Sequence, residues 1–313
     1  MGAYLIKRIL ATIPVMLFVA VFIFLLLRLT PGDPAAMIAG DFATDAQIAE
    51  IRRELGLEEP LWRQFLIWFG NVLHFELGDS FYYKKQVSEL ILNRIEPTFS
   101  LSLLTILLTV SIAVPLGTLA AYRQGSWFDR TIMGFSVLGF SVPVFVIGYA
   151  LIYVFSVKLG WLPVQGYQRI GDGVGGWLYR LILPSISLSV IFVAFIARLT
   201  RTSVLEVLGE DYIRTARAKG QTETKVMMRH AVRNAAVPIV TVIGLAIAIL
   251  IGGVVVTESV FTIPGLGLLT VEAVLNRDFP TIQAVILFFS VVYVTINLLI
   301  DLSYTLLDPR IRY

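Results

Sequence analysis

Side chains able to act as nucleophile, base or metal ligand are few in this 313-residue chain, and their spacing argues against a catalytic centre. Cysteine is absent, which excludes a disulfide framework, thiol catalysis and Cys-ligated zinc or iron–sulfur sites. The two histidines, His74 and His230, are far apart in sequence and neither falls in an apolar stretch beside a candidate nucleophile, so neither a His-based metal site nor hydrolytic chemistry is supported. No G-x-x-x-x-G-K-[ST] phosphate loop occurs. Asp301 is the one acid inside a long apolar stretch, where an ionisable group is a functional candidate by default. Its place near one end of that stretch favours an interfacial Arg partner over a proton relay.

The densest grouping of polar chemistry is a basic loop, EDYIRTARAKGQTETKVMMRHAVRNAAVP, at 210–238. Residues 212–219 favour helix, and Gly220 supplies a position tolerant of positive φ at its C-terminus. Thr222 is placed to cap a second helix, with Glu223 at its positive dipole end. On that helix Lys225, Arg229 and Arg233 recur every four residues and form one basic stripe. Ala216, Ala218 and Gly220 are small enough to let another protein's backbone come close. The same spacing also fits a polar hairpin whose cations meet anionic lipid headgroups. Nucleic acid fits poorly, because interleaved aromatics are missing.

These residues must be positioned by elements of an unusual composition. The chain is 57% hydrophobic and 15% charged, with a mean hydropathy of +0.81, against about 45–50% and about 25% in soluble domains. A soluble fold cannot hide that much apolar surface, and a bilayer can accept it. A span needs about 20 mostly apolar residues, and six stretches qualify: 9–27, 101–121, 132–157, 181–197, 239–256 and 284–307. The fourth is short and is expected to run past Arg198, whose side chain can snorkel. The first is longer than a signal h-region and no small-x-small cleavage site follows, so it reads as a retained helix.

Fourteen Lys and Arg lie on one side: Lys7, Arg8, Arg123, Arg130, eight in the 198–237 loop, Arg310 and Arg312. The short loops opposite carry only Lys158, Arg169, Arg180 and Arg277. The excess of positive charge assigns both termini to the cytoplasm. Within the spans, Pro115 with Gly117, and Gly139 with Pro143 and Gly148, are candidate bending points or ordinary membrane-helix residues. Ser136 and Ser141 either line a cavity or hydrogen-bond to neighbouring helices.

The 29–100 segment is too long for a bare connector. Thr44 can cap a helix bearing Ile48, Ile51 and Leu55, ending at Gly56. Leu61, Phe65, Trp68, Phe69 and Val72 form a second apolar stripe, and Val87, Leu90, Ile91 and Ile95 a third before Pro97 starts the next span. Helices packing onto the membrane domain and a docking surface for a soluble partner are both compatible with these stripes.

Several segments resemble one family. Tyr4-Leu5-Ile6-Lys7-Arg8-Ile9-Leu10, Leu29-Thr30-Pro31-Gly32-Asp33-Pro34, Arg53-Glu54-Leu55-Gly56-Leu57 with Pro60 and Leu61, and Leu77-Gly78-Asp79-Ser80 match permease subunits of bacterial ATP-binding-cassette importers of the dipeptide/oligopeptide/nickel class. The loop Asp211-Tyr212-Ile213-Arg214-Thr215-Ala216-Arg217-Ala218-Lys219-Gly220, followed by Arg229-His230-Ala231-Val232-Arg233-Asn234-Ala235, is the most specific match. Phe261-Thr262-Ile263-Pro264-Gly265-Leu266-Gly267 and the ending Asp308-Pro309-Arg310-Ile311-Arg312-Tyr313 add to it. The looser pattern shared by importer permeases is Glu-Ala-Ala, three residues, Gly, nine residues and Ile-x-Leu-Pro. Anchored on Gly220, Arg214 and Thr215 stand where Glu and the first Ala would be, and Ala216 matches the second. His230, Val232 and Arg233 replace Ile, Leu and Pro, departures that favour the peptide/nickel subgroup.

The resemblance implies an all-α integral membrane protein of the type I importer permease kind, with six transmembrane helices and a helical extracytoplasmic loop. The expected division is an N-terminal span at 1–28, the outer loop at 29–100, a five-helix core at 101–307 containing the coupling loop 198–237, and a cytoplasmic tail at 308–313. It further implies a second permease, two ATPase subunits that use ATP and Mg, an extracytoplasmic substrate-binding protein, surrounding lipid, no nucleic-acid partner and no cofactor bound by this chain. The coupling residues would be Tyr212, Arg214, Thr215, Ala216, Lys219, Gly220, Arg229 and Arg233. Ser141, Pro143, Glu258, Thr262, Pro264 and Gly265 would serve the gate or pathway, the last four in a re-entrant turn. Small peptides lead as cargo, with nickel chelates, glutathione and opine-like compounds as alternatives. An ion- or proton-coupled secondary transporter is the competing class, although internal repeats and mid-membrane charges typical of it are missing.

Overall fold

The computed structural model describes residues 2–29, 35–36, 44–54 and 56–307. The expected motif residues Thr30–Pro34, Leu55 and the 308–313 tail lie outside the described residues. Eleven α-helices of eight residues or more organise the described residues: α1 Gly2–Leu29, α2 Asp45–Glu54, α3 Leu61–Leu73, α4 Val87–Tyr122, α5 Trp127–Ser141, α6 Val144–Leu151, α7 Val174–Leu208, α8 Asp211–Ala218, α9 Ala236–Phe261, α10 Leu266–Leu275 and α11 Phe279–Leu307. Lipid offers no partner for backbone N–H and C=O groups, so the apolar stretches close their hydrogen bonds internally as helices. Five helices are long and apolar enough to span: α1, α4, α7, α9 and α11. A further apolar pair, α5 with α6 and its π-helical continuation Ile152–Lys158, is bent by 100° at its break and makes a sixth span if the two halves are counted together.

The break falls at Pro143, one of the expected bending points. Val142 is extended (φ −100°, ψ 121°) and Pro143 opens α6, as a residue before proline is pushed out of the helical region. Helix α4 is continuous through Pro97 and Pro115, so 87–95 is the start of that helix rather than a separate segment. A single proline forfeits one backbone bond, which a long membrane helix tolerates. Gly117, Gly139 and Gly148 are close-approach positions. A Cβ on Gly117 would sit 2.5 Å from the Ala197 carbonyl oxygen, one on Gly139 would sit 2.8 Å from Ala194 Cβ, and one on Gly148 would sit 3.2 Å from Val260.

The chain divides into two compact units, 1–94 with 269–294 and 95–268 with 295–313. In the first, Phe65, Trp68, Phe69 and Val72 of α3 pack on Ala20 and Ile23 of α1, together with Leu287. Arg28 Nε donates to Gln64 Oε1 at 2.9 Å, and Gln64 Nε2 donates to the Glu59 carbonyl at 2.7 Å. Leu61 and Trp62 remain exposed. In the Leu77–Ser80 motif, Ser80 Oγ donates to the buried Asp278 carboxylate, which also accepts from Phe81 N at 3.0 Å and Thr281 Oγ1 at 2.7 Å. Beside it Tyr83 donates to Glu272, which also takes Arg94 Nη1 at 3.1 Å. Burial and then the Glu272 carboxylate push the Tyr83 phenol up to about 12.

The second unit is centred on α7, two thirds of whose apolar window (67%) is buried, against 28% for α4 and for α9. Leu181, Leu188, Phe192, Val193 and Ile196 of α7 meet Ala246, Leu250 and Val254 of α9 in one core. The expected extension of the fourth span past Arg198 is realised, because α7 continues to Leu208.

The glycine contacts yield a direct test. Gly117→Ala must displace backbone and is expected to cost about 1–3 kcal/mol. Gly134→Ala, with nothing within 4 Å of its Cβ, should instead gain up to about 1 kcal/mol in helix propensity. Thermal unfolding of the two variants in detergent, compared with the parent chain, should separate them in opposite directions.

Candidate functional site

Two clusters of the expected residues are assembled, at opposite ends of α9. Its 26 residues place them roughly 40 Å apart.

The first cluster is the basic loop. Helix α8 ends as foreseen at Gly220, with φ +73°. Gly220 N donates to the Arg217 carbonyl and Gln221 N to the Ala216 carbonyl, the paired bonds of a Schellman cap. Thr222 is extended at the start of the next helical turn but lends it no side-chain bond. Glu223 instead grips Arg217, with Nε–Oε1 at 2.9 Å and Nη2–Oε2 at 3.2 Å. Beyond Lys225 the winding is π-helical over Val226–Val232 rather than α-helical. The wider repeat puts Val226 and Ala231, five apart, on one side, and both are fully buried. Val226 joins Ile213 and Ala216 against Val207 and Leu208 of α7, while Met227 and Ala231 join Val204, Ala121 and Ile239.

Burial sorts the expected contact residues. Ala216 faces inward, 6% exposed, so it shapes the loop from inside instead of offering a surface. Arg214, Thr215, Ala218, Lys219 and Gly220 are exposed on α8 and its tip, and Tyr212 is 43% exposed. Partial burial raises the Tyr212 phenol above its ordinary pKa. Arg214 pairs with Asp211 at 3.4 Å in the open. Lys225, Arg229 and Arg233 are all exposed, so the basic stripe survives the change of winding. His230 Nε2 hydrogen-bonds Gln221 Oε1 at 2.9 Å across the hairpin.

The second cluster is the turn after α9. Thr262 adopts φ +51° and closes α9, and the Ile263 N–H returns to the Glu258 carbonyl at 2.9 Å. The Glu258 side chain is fully buried. Its Oε1 accepts from Thr98 Oγ1 at 2.6 Å, and its Oε2 accepts from Leu268 N at 2.9 Å. Thr98 Oγ1 in turn accepts from Leu266 N at 2.8 Å. The carboxylate and the Thr98 hydroxyl thus take one free amide each at the start of α10, where the helix dipole favours negative charge. Glycine is required on the facing backbone: a Cβ on Gly265 would lie 2.1 Å from Glu258 Oε1, and one on Gly267 would lie 2.6 Å from Val255 Cα. Thr262 and Pro264 are exposed at the rim of this turn.

Ser141 and Pro143 do not join either cluster. Ser141 Oγ donates to the Val137 carbonyl and Ser136 Oγ to the Ile132 carbonyl, each within its own helix. Sequence reasoning missed Thr98, and it missed the pair formed by Asp129 and Arg201. Asp129 carried a signal, since Ser126-x-x-Asp129 has the form of a capping box. Ser126 Oγ accepts from Asp129 N at 3.3 Å, and Asp129 Oδ2 accepts from Gly125 N at 2.9 Å.

Removing the Glu258 carboxylate should loosen the turn. Glu258→Ala leaves the Leu268 N–H and Thr98 hydroxyl without that partner, a cost of about 1–3 kcal/mol. Amide hydrogen exchange over residues 262–268 is expected to rise by about tenfold or more, with Gly265→Val producing the same change and Glu258→Gln a smaller one. Unchanged exchange in Glu258→Ala would show that other contacts hold the turn.

Comparison with known proteins places these features. Residues 113–313 match the family "Binding-protein-dependent transport system inner membrane component", and residues 1–102 match its N-terminal companion, "Binding-prot-dependent transport system membrane comp, N-term". A probable peptide ABC transporter permease protein of Sinorhizobium fredii is 56% identical over 313 residues, the full length of both chains. A putative peptide transport system permease protein of Brucella abortus is 46% identical, also over the full length of both. The glutathione transport system permease protein of Escherichia coli is 44% identical over 311 residues, 99% of each. Among solved structures, a chain of the inward-facing methionine ABC transporter MetNI shares the fold, with a TM-score of 0.58 at 18% identity, over 70% of this chain and 96% of that one. With apolar helices of spanning length and a buttressed polar loop, the chain belongs to the binding-protein-dependent transport system inner membrane component family and is a multi-pass permease subunit of an ATP-driven ABC importer.

Proposed function

We propose that this permease carries small peptides inward across the bacterial cytoplasmic membrane, with both termini in the cytoplasm, and that α8 and its Gly220 tip form the contact for an ATPase subunit. The observation that carries the reading is the construction of the loop. Ile213, Ala216 and Val226 bury one side of α8 against the end of α7, which leaves Arg214, Thr215, Ala218 and Lys219 facing out. A polar face backed by apolar packing is suited to receiving force, because it cannot move without moving α7. The Arg excess at this end supports its assignment to the cytoplasmic side. The peptide cargo is supported by full-length relatives named for peptide transport.

The working assembly in this reading is two permeases side by side, of which the second is a different chain. Two cytosolic ATPase subunits bind ATP and Mg, an extracytoplasmic binding protein delivers substrate, and this chain binds no cofactor of its own. Closure of the ATPase pair pushes on α8 and shifts the permeases between inward- and outward-open states. The Glu258-pinned turn at the far end of α9 is the chain's contribution to the outer gate. Selectivity in this reading rests mainly with the binding protein.

Reversing the charges on the outward face is the direct check. The double variant Arg214→Glu, Lys219→Glu should reach the membrane normally, yet retain its ATPase subunit on purification at about one tenth of the parental level and lose ATP-dependent uptake in parallel. Full retention of both would contradict the docking assignment. Accumulation of substrate by the chain alone in vesicles, on a pH gradient without ATP, would establish secondary transport instead.

A further inference from the structure

One buried charge pair lies outside both clusters. Asp129 stands in the first turn of α5, just after the short turn that links α4 to α5. Arg201 stands on α7, two turns before that helix ends at Leu208 and leads into the basic loop. The Asp129 side chain is 4% exposed and that of Arg201 is 21% exposed. Their contact is fork to fork: Arg201 Nε donates to Oδ1, and Arg201 Nη2 donates to Oδ2 at 2.7 Å. Gly125 N adds a third donor to Oδ2 at 2.9 Å, so the carboxylate is tied to the α4–α5 turn as well as to α7.

The pair continues a seam. On α7, Ala194 receives Gly139 of α5, Ala197 and Thr200 receive Gly117 of α4, and Arg201 receives Asp129. Positions 194, 197 and 201 recur at helical spacing and share one face. Two of the contacts are backbone approaches that depend on glycine, and such smooth surfaces can slide. The third cannot slide, since a bidentate ion pair fixes rotation and height together and separating it would strand a buried charge. Just beyond this hairpin the spans lose continuity, at the 100° break between α5 and α6.

We propose that the Asp129–Arg201 pair is a transmission strut, a positioning pair that makes the α4–α5 hairpin move with α7 when the loop at its end is displaced. Displacement of α8 passes through its packing on Val207 and Leu208 into α7. The strut carries it across to α5, and the break at Val142–Pro143 lets α5 change angle against α6. The pair takes no part in holding the ATPase subunit. This rests on the reading of α8 as the ATPase contact.

The test uses the assembled complex of permeases, ATPase subunits and binding protein in proteoliposomes, with three readouts: ATPase co-purification, ATP hydrolysis, and peptide transported per ATP hydrolysed. Arg201→Lys keeps the charge and loses the planar fork, and Asp129→Asn keeps the shape and loses the charge. Both are expected to retain the ATPase subunit at parental level and to keep hydrolysing ATP, while transport per ATP falls about tenfold or more. The exchanged pair Asp129→Arg, Arg201→Asp should recover part of that ratio. A parental ratio in either single variant would overturn the strut. So would loss of the ATPase subunit in Arg201→Lys, which would make the pair a docking or folding element, and so would an assembled exchanged pair no better than the single variants. Uptake that needs no ATP in the parent would instead overturn the underlying assignment of α8, and the parental control reports that separately.

Discussion

Hydrocarbon supplies no hydrogen-bond partner, and that constraint orders the rest of the structure. Spans here close their backbone hydrogen bonds as helices, and any break in a span must be held by protein. The consequences are visible at named places. The break at Val142–Pro143 is shouldered by α7, where Ser187 Oγ donates to the Val144 carbonyl at 3.2 Å. The first amides of α10, exposed by the turn after α9, are met by Glu258 and Thr98. The hydroxyls of Ser136, Ser141, Thr241, Thr257 and Ser290 fold back onto carbonyls of their own helices.

Within that constraint two kinds of contact divide the labour. Glycines at 117 and 139 admit the Ala197 backbone and the Ala194 methyl, and those at 148, 244 and 253 admit the side chains of Val260, Ile300 and Leu188, and dispersion at close range supplies the association that the hydrophobic effect cannot supply between helices in lipid. Polar anchors fix what such smooth contacts leave free. Glu258 fixes the turn at one end of α9, Asp278 fixes the Ser80 loop in the other compact unit, and Asp129 fixes α5 to α7. Each is a carboxylate with several donors, and each draws at least one of them from backbone N–H, so removing it would disturb main chain as well as side chain.

Much of the fold was legible because composition and apolar run length are the signals the bilayer reads. The spans, the Gly220 cap and the α3 stripe facing α1 follow from local rules that the tertiary structure does not override. What escaped notice depended on distant partners. Gly117, Gly139 and Gly148 read equally well as bends or contacts, and only Ala197, Ala194 and Val260 across the interface decide the matter. The π-winding of Val226–Val232 accompanies packing on Val207 and Val204 of α7, which spacing along the loop does not encode. Ala216 looked like contact surface from its size but is buried with Val226, six positions past the Gly220 tip. Glu258 and Gly265 stood out in sequence, yet Thr98, 160 residues earlier, gave no local sign of its part in that cradle.

The central claim is that α8 faces the cytosol and is covered there by the ATPase subunit. The chain has no native cysteine, so Lys219→Cys introduces a unique thiol at the loop tip. Labelling with a membrane-impermeant maleimide should fail in right-side-out vesicles and succeed in inverted vesicles stripped of the ATPase subunit. Adding that subunit back should then protect the thiol. Labelling from outside in right-side-out vesicles, or no protection by bound ATPase, would contradict the account.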